Sequence, residues 1–89
     1  MRHVHLYIDG RVQGVGYRRY VEQQARALDV KGYVKNIEGG VEVVAEGEDA
    51  AVAQLIEACK TGPTAAKVDD IQVEEGTPSH IYKDFNVTA

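Results

Sequence analysis

The sequence predicts an α+β fold in which two helices cover one face of an antiparallel sheet. Three observations carry that expectation. Apolar residues alternate with period two in Val4-His5-Leu6-Tyr7-Ile8, and they recur at helical spacing in two later segments that end near Leu28 and Cys59. A double glycine, Gly39-Gly40, joins two runs rich in β-formers. A period of two is a strand with one buried face, a period near 3.6 is a helix with one buried stripe, and glycine between β-rich runs is a hairpin.

The first strand is expected over about residues 2–10, with Val4, Leu6 and Ile8 on one face and His5 and Tyr7 on the other. From Arg18 or Arg19 to Leu28 the chain is rich in Arg, Glu, Gln and Ala, and Val21, Ala25 and Leu28 mark one helical stripe. Two strands follow, Tyr33 to Ile37 and Val41 to Glu46, joined through Glu38-Gly39-Gly40. Gly47-Glu48-Asp49 opens a second helix with acidic residues suited to its first turn, and Val52, Leu55, Ile56 and Cys59 form its stripe. Lys60-Thr61-Gly62-Pro63 stops it. Val68 to Glu74 is expected as a strand with Ile71 and Val73 inward, and residues 75–80 as a polar loop. Ile81, Lys83, Phe85 and Val87 alternate again; Lys83 breaks the apolar set, which argues for a short or edge strand.

The order βαββαβ, with its last strand broken by the 75–80 loop or doubled, fits the ferredoxin-like sandwich: both helices on one face, the other open. His3, His5 and Tyr7 would stand on that open face. Two histidines at i, i+2 have no third metal ligand nearby, so they are read as solvated strand residues.

Eighty-nine residues make one small domain, 1–89, which buries roughly 60–65% of its unfolded surface and supports one modest core. No apolar run approaches the ~18 residues a membrane helix needs. The N-terminus has no apolar signal region, and Cys59 is alone, so a cytoplasmic location is expected with Cys59 as a small core residue. A net charge of −4 argues against a general nucleic-acid binder, whose affinity comes from neutralising phosphates. It leaves room for one phosphate site, which needs only local positive charge.

That site is expected at Gly10-Arg11-Val12-Gln13-Gly14-Val15-Gly16-Tyr17-Arg18, between the first strand and the first helix. Successive backbone N–H groups from Gln13 through Gly14, Val15, Gly16 and Tyr17 to Arg18 can cradle an anion at the positive end of the helix dipole. Gly14 and Gly16 can adopt the positive φ such a nest requires, and the Arg18 guanidinium offers a planar fork for two phosphate oxygens. Arg19 lies about 100° further round the helix and is read as a solvated face residue. Arg11 receives no role. The competing reading of the loop is a turn with no ligand.

The stretch GRVQGVGYR, followed by Gly32-Tyr33-Val34-Lys35-Asn36, resembles the acylphosphatase family, whose motifs are G-x-V-Q-G-V-x-[FY]-R and G-[FWY]-x-[KR]-N. The resemblance spans essentially the whole chain and implies a small monomeric enzyme that hydrolyses acyl phosphates without a metal or other cofactor. It implies that the loop and Arg18 hold the phosphoryl group and that Asn36 orients the attacking water. From residue type alone, Asn36 is a hairpin residue, since asparagine disfavours strands. One departure stands out: the family usually has three residues between this Asn and the following G-x-V, and here only Ile37-Glu38 intervene.

The residue chemistry agrees with such a substrate. The motifs hold no catalytic His, carboxylate pair, P-loop lysine or metal cluster, which is too little to expel the alkoxide of a phosphate monoester. A carboxylate, whose conjugate acid has a pKa near ~4, leaves unaided. Inorganic phosphate or sulfate should then inhibit, and the rival reading is a catalytically silent phosphate-binding or regulatory domain of the same family.

Overall fold

The computed structural model describes residues 1–88. The elements are β1 (Arg2–Arg11), α1 (Tyr17–Ala27), β2 (Lys31–Ile37), β3 (Gly40–Gly47), α2 (Asp49–Thr61), β4 (Lys67–Gly76) and β5 (Phe85–Thr88). They form one five-stranded sheet in the order β4-β1-β3-β2-β5. The first four strands pair antiparallel, and β5 adds a parallel edge beside β2. The four-stranded antiparallel ferredoxin-like core is therefore as expected, with one short strand more.

The period-two pattern of β1 buries Val4, Leu6 and Ile8. In register with them on β3 stand Ala45, Val43 and Val41, and these pack with the helix stripes Val21, Ala25, Val52, Leu55, Ile56 and Cys59. The hairpin is tight. Ile37 pairs with Gly40, so only Glu38 and Gly39 turn, and Gly39 has φ 82. A positive φ at the second position of the turn is what calls for glycine there.

Two expectations need correction at the sheet edges. Val73 shares the helix-facing side with its partner Leu6, yet it is 41% exposed, because β4 is an edge strand that the helices cover poorly. Its better buried neighbour is Ile71. The alternation from Ile81 onward is a strand only from Phe85; Ile81 is exposed, while Phe85 is fully buried against the core. Residues 77–84 instead form an irregular strap.

The strap changes the sheet face opposite the helices. Glu46, 3% exposed, accepts hydrogen bonds from the Ser79 backbone N–H (2.7 Å), the Ser79 hydroxyl (2.9 Å) and the His80 N–H (3.1 Å). His3 Nδ1 donates to the same carboxylate at 2.6 Å, and His5 Nε2 donates to Glu42 at 2.8 Å while stacking on Tyr7. The histidines are thus part-buried partners of carboxylates, not freely solvated residues. The open face still presents charged and aromatic side chains, but a polar network crosses it.

Candidate functional site

After β1 ends at Arg11, Val12 dives into the core and the chain turns through Gln13-Gly14-Val15-Gly16 into α1. Gly14 has φ 73 and Gly16 has φ 81, while no heavy atom lies within 4 Å of where a Cβ would stand on either. The dihedral, not crowding, is what calls for glycine: a Cβ in this left-handed region costs roughly 1–2 kcal/mol. Gly16 is the N-cap of α1 and provides no side-chain cap, and the first turn carries no acidic residue. The Tyr20 N–H bonds the Gly16 carbonyl at 3.0 Å. The N–H groups before it lie at the positive end of the dipole, where an anion is favoured.

Two anchors hold this loop still. The Tyr17 hydroxyl donates to the Cys59 carbonyl at 2.7 Å, and one turn later the Tyr20 hydroxyl donates to the Ala58 carbonyl at 3.0 Å. Both acceptors lie in the last turn of α2; the Ala58 carbonyl also accepts from the Gly62 N–H at 2.9 Å. Burial pushes the Tyr17 phenol far above its ordinary range, so it acts here as a permanent donor. On the other side, the Gln13 side-chain amide donates to the carbonyls of Ile37 (2.6 Å) and Gly40 (2.7 Å). These two carbonyls flank the β2–β3 turn, so Gln13 ties the loop to the hairpin.

The loop opens on a cavity of about 290 Å³ lined by Val12, Gly14, Gly16, Tyr17, Arg18, Arg19, Glu22 and Val87. Arg18 is half-buried, and its Nη1 donates to the Thr88 carbonyl of β5 at 3.2 Å. One edge of the guanidinium is thereby fixed. Of the residues singled out in the sequence, Gly14, Gly16, Tyr17 and Arg18 share this cavity, while Gln13 and Val15 belong to the loop without lining it. Arg19 is exposed but also lines the cavity, which its reading as a plain face residue did not anticipate.

Asn36 is not among the lining residues. It stands two residues beyond Val34 on the helix-facing side of β2, opposite Val41, whose other neighbour is Ile8 at the end of β1 that leads to the loop. Its Oδ1 is buried and accepts no hydrogen bond among the described residues. A buried amide oxygen without a protein donor costs about 1–3 kcal/mol unless something else donates to it, and water is the natural donor. Gln13 brackets this same position by bonding the carbonyls on either side of the turn that follows it.

Cys59 is fully buried, and its thiol is pushed up to about 12 by burial, so it is a core side chain and not a nucleophile. Three contributors went unread in the sequence, two of them because they carried little signal. The Thr88 acceptor is a backbone carbonyl, which no residue type announces. Val87 faces the cavity only because β5 pairs with β2. Glu22 was discoverable, since it lies four residues after Arg18 on the same helix face.

Known proteins resemble this chain over nearly its whole length. The acylphosphatase family model matches residues 4–87. An acylphosphatase of Shewanella amazonensis is 42% identical over 89 residues, covering 99% of this chain and 98% of the relative. One from Marinobacter nauticus is 44% identical over 85 residues, covering 94% of this chain and 92% of the relative. The crystal structure of acylphosphatase from Bacillus subtilis superposes with a TM-score of 0.96 at 38% identity, covering 100% of both chains.

Proposed function

The chain belongs to the acylphosphatase family, and from that premise we propose how its residues carry out the hydrolysis of acyl phosphates to carboxylate and inorganic phosphate. The substrate's phosphoryl group sits against the backbone N–H groups of Gln13 through Arg18, with the Arg18 guanidinium on its remaining oxygens. Asn36 Oδ1 accepts a hydrogen bond from a water and aims it at phosphorus, in line with and opposite the leaving carboxylate. As the water oxygen bonds to phosphorus, the bond from phosphorus to the acyl oxygen breaks. That electron pair leaves on the carboxylate, and the water's proton passes to phosphate or solvent.

The observation that carries this reading is the pair of left-handed glycines, Gly14 and Gly16, at an uncapped helix N-terminus that shares one cavity with Arg18. Fixed N–H donors and a held guanidinium stabilise charge on a loose, metaphosphate-like transition state, and a positioned water supplies the nucleophile. A carboxylate needs no protonation to depart, so no general acid is called for. We take residues 1–89 to act as a single-domain monomer in the cytoplasm, requiring no cofactor and inhibited by inorganic phosphate or sulfate.

The test compares benzoyl phosphate with an alkyl phosphate monoester, with and without excess chelator. Turnover of the acyl phosphate alone, unchanged by the chelator, is expected, together with competitive inhibition by phosphate and a raised melting temperature in its presence. Comparable rates on both substrates would mean that a general acid or metal operates here after all.

A further inference from the structure

A phosphoryl group does not account for the whole cavity. Its volume of about 290 Å³ is on the order of ten water molecules' share of liquid volume. The remainder is walled by Val12, Val87, Arg19 and Glu22, and it is the space into which an acyl group bound at the loop would extend. Two arginines and one glutamate line this cavity in a chain whose net charge is −4.

The carboxylate is drawn away from it. Glu22 Oε2 lies 3.6 Å from Arg26 Nη2, one helical turn further on, and Arg26 Nη1 lies 3.3 Å from Asp84 Oδ1. Glu22 stands three residues after Arg19, a spacing at which the two would meet on a helix, yet it pairs with Arg26. Arg19 makes no ion pair or side-chain hydrogen bond among the described residues. Acidic groups outnumber basic ones by 14 to 10 in the sequence. Arg19 is therefore an exposed guanidinium that lines the cavity with no carboxylate partner among the described residues.

Building on the acyl phosphate reading above, we propose that Arg19 is a specificity-determining residue. It selects acyl phosphates whose acyl group carries a second anionic group, such as a terminal carboxylate, over acyl phosphates of similar length with an uncharged end. Arg18 serves the phosphoryl group and Arg19 the far end of the acyl group. The distal anion gains a charge-assisted hydrogen bond that an uncharged chain cannot make, and the preference is screened by salt because Arg19 is exposed.

The test measures kcat/KM for succinyl phosphate and for butyryl phosphate, at low and at high ionic strength, in the wild type, Arg19→Gln and Arg19→Lys. Both substrates meet the same preparation, so any loss of folded protein cancels in their ratio. The ratio of succinyl to butyryl is expected to fall about tenfold in Arg19→Gln, the scale of one charge-assisted contact. It should be largely kept in Arg19→Lys, and in the wild type it should fall as salt is added. A ratio that does not move in Arg19→Gln, or two rates that fall in parallel, would overturn the specificity role while leaving acyl phosphate hydrolysis intact. If the wild type hydrolyses neither substrate, the acyl phosphate reading fails and the role of Arg19 fails with it.

Discussion

In the proposed mechanism Arg18 and Asn36 divide the work differently, and substitution should separate them. Arg18 is fixed at one edge by the Thr88 carbonyl and lines the cavity, so Arg18→Gln removes charge stabilisation from both bound phosphate and transition state. A loss of at least ~10²–10³ in kcat is expected, the usual scale for one preorganised stabiliser, with weaker inhibition by phosphate. Arg11→Gln, at the exposed end of β1 and away from the cavity, is the matched control for lost positive charge. Asn36→Ala should lower kcat strongly and leave the phosphate inhibition constant nearly unchanged, because its partner is the nucleophile and not the phosphoryl group. Removing the unpartnered Oδ1 also relieves a buried polar group, so stability should not fall. A drop of more than ~2 kcal/mol in urea titration would make Asn36 chiefly a turn residue. The sequence announced Arg18 and the glycines through the chemistry of anion sites. It did not announce Asn36, whose residue type speaks equally for a turn; only the resemblance to a family motif gave it a catalytic role. The geometry adds a reason independent of that motif, a buried acceptor beside the loop's tether.

Among the elements, the loop is held from both sides, and its two anchors should fail differently. Gln13 ties it to the hairpin through the Ile37 and Gly40 carbonyls, and Tyr17 ties it to the end of α2 through the Cys59 carbonyl. Gln13→Leu should cost about 1–2 kcal/mol in stability. It should also lower kcat more than it raises KM, because it uncouples the cradle from the strand that carries Asn36, the residue proposed to orient the water. Tyr17→Phe removes a buried hydrogen bond far from the hairpin and should reduce stability by a similar amount with a smaller effect on kcat; calorimetry and steady-state kinetics on the pair distinguish the two anchors. Element types were largely legible because β1, α1 and α2 each bury one regular face. Legibility ended where burial stops following local pattern. Ile81 and Lys83 alternate like a strand, yet a buried glutamate on β3 holds the neighbouring backbone in a strap. Val73 has the right period but sits where the helices no longer reach. Gln13 was read for its backbone N–H, while its side chain makes the longer connection, a contact between positions 24 and 27 residues apart that no local pattern encodes.

Across the whole molecule, the face opposite the helices depends on one ionised carboxylate. Burial opposes the charge on Glu46, but hydrogen bonds from the Ser79 N–H, His3, the Ser79 hydroxyl and the His80 N–H outweigh it, and its pKa is drawn down to about 2. A group depressed in the folded state contributes stability that is complete above its unfolded value, near ~4.3 for Glu, and is lost as pH falls through the folded value. The window is therefore about pH 4.5 down to about 2, and a shift of this size is worth roughly 3 kcal/mol across it. Glu42, held low by His5 and Lys35 despite its own burial, pushes in the same direction, so acid sensitivity of the wild type alone would not identify the cause. The difference between wild type and Glu46→Gln does. Glutamine keeps the shape but donates where a carboxylate accepted, so the variant should be less stable by about 2–3 kcal/mol near pH 7. Denaturant titrations should then converge on the wild type as pH drops toward 2, because protonation removes from the wild type what the substitution has already removed. Glu46 lies on the sheet face away from the loop, so kcat on an acyl phosphate at neutral pH should be kept within about twofold, the rough additivity expected of distant sites. A gap that stays constant from pH 7 to pH 2 would mean that Glu46 is not the ionised anchor of the strap; a gap that closes would show that Glu46 holds the strap as an ionised carboxylate.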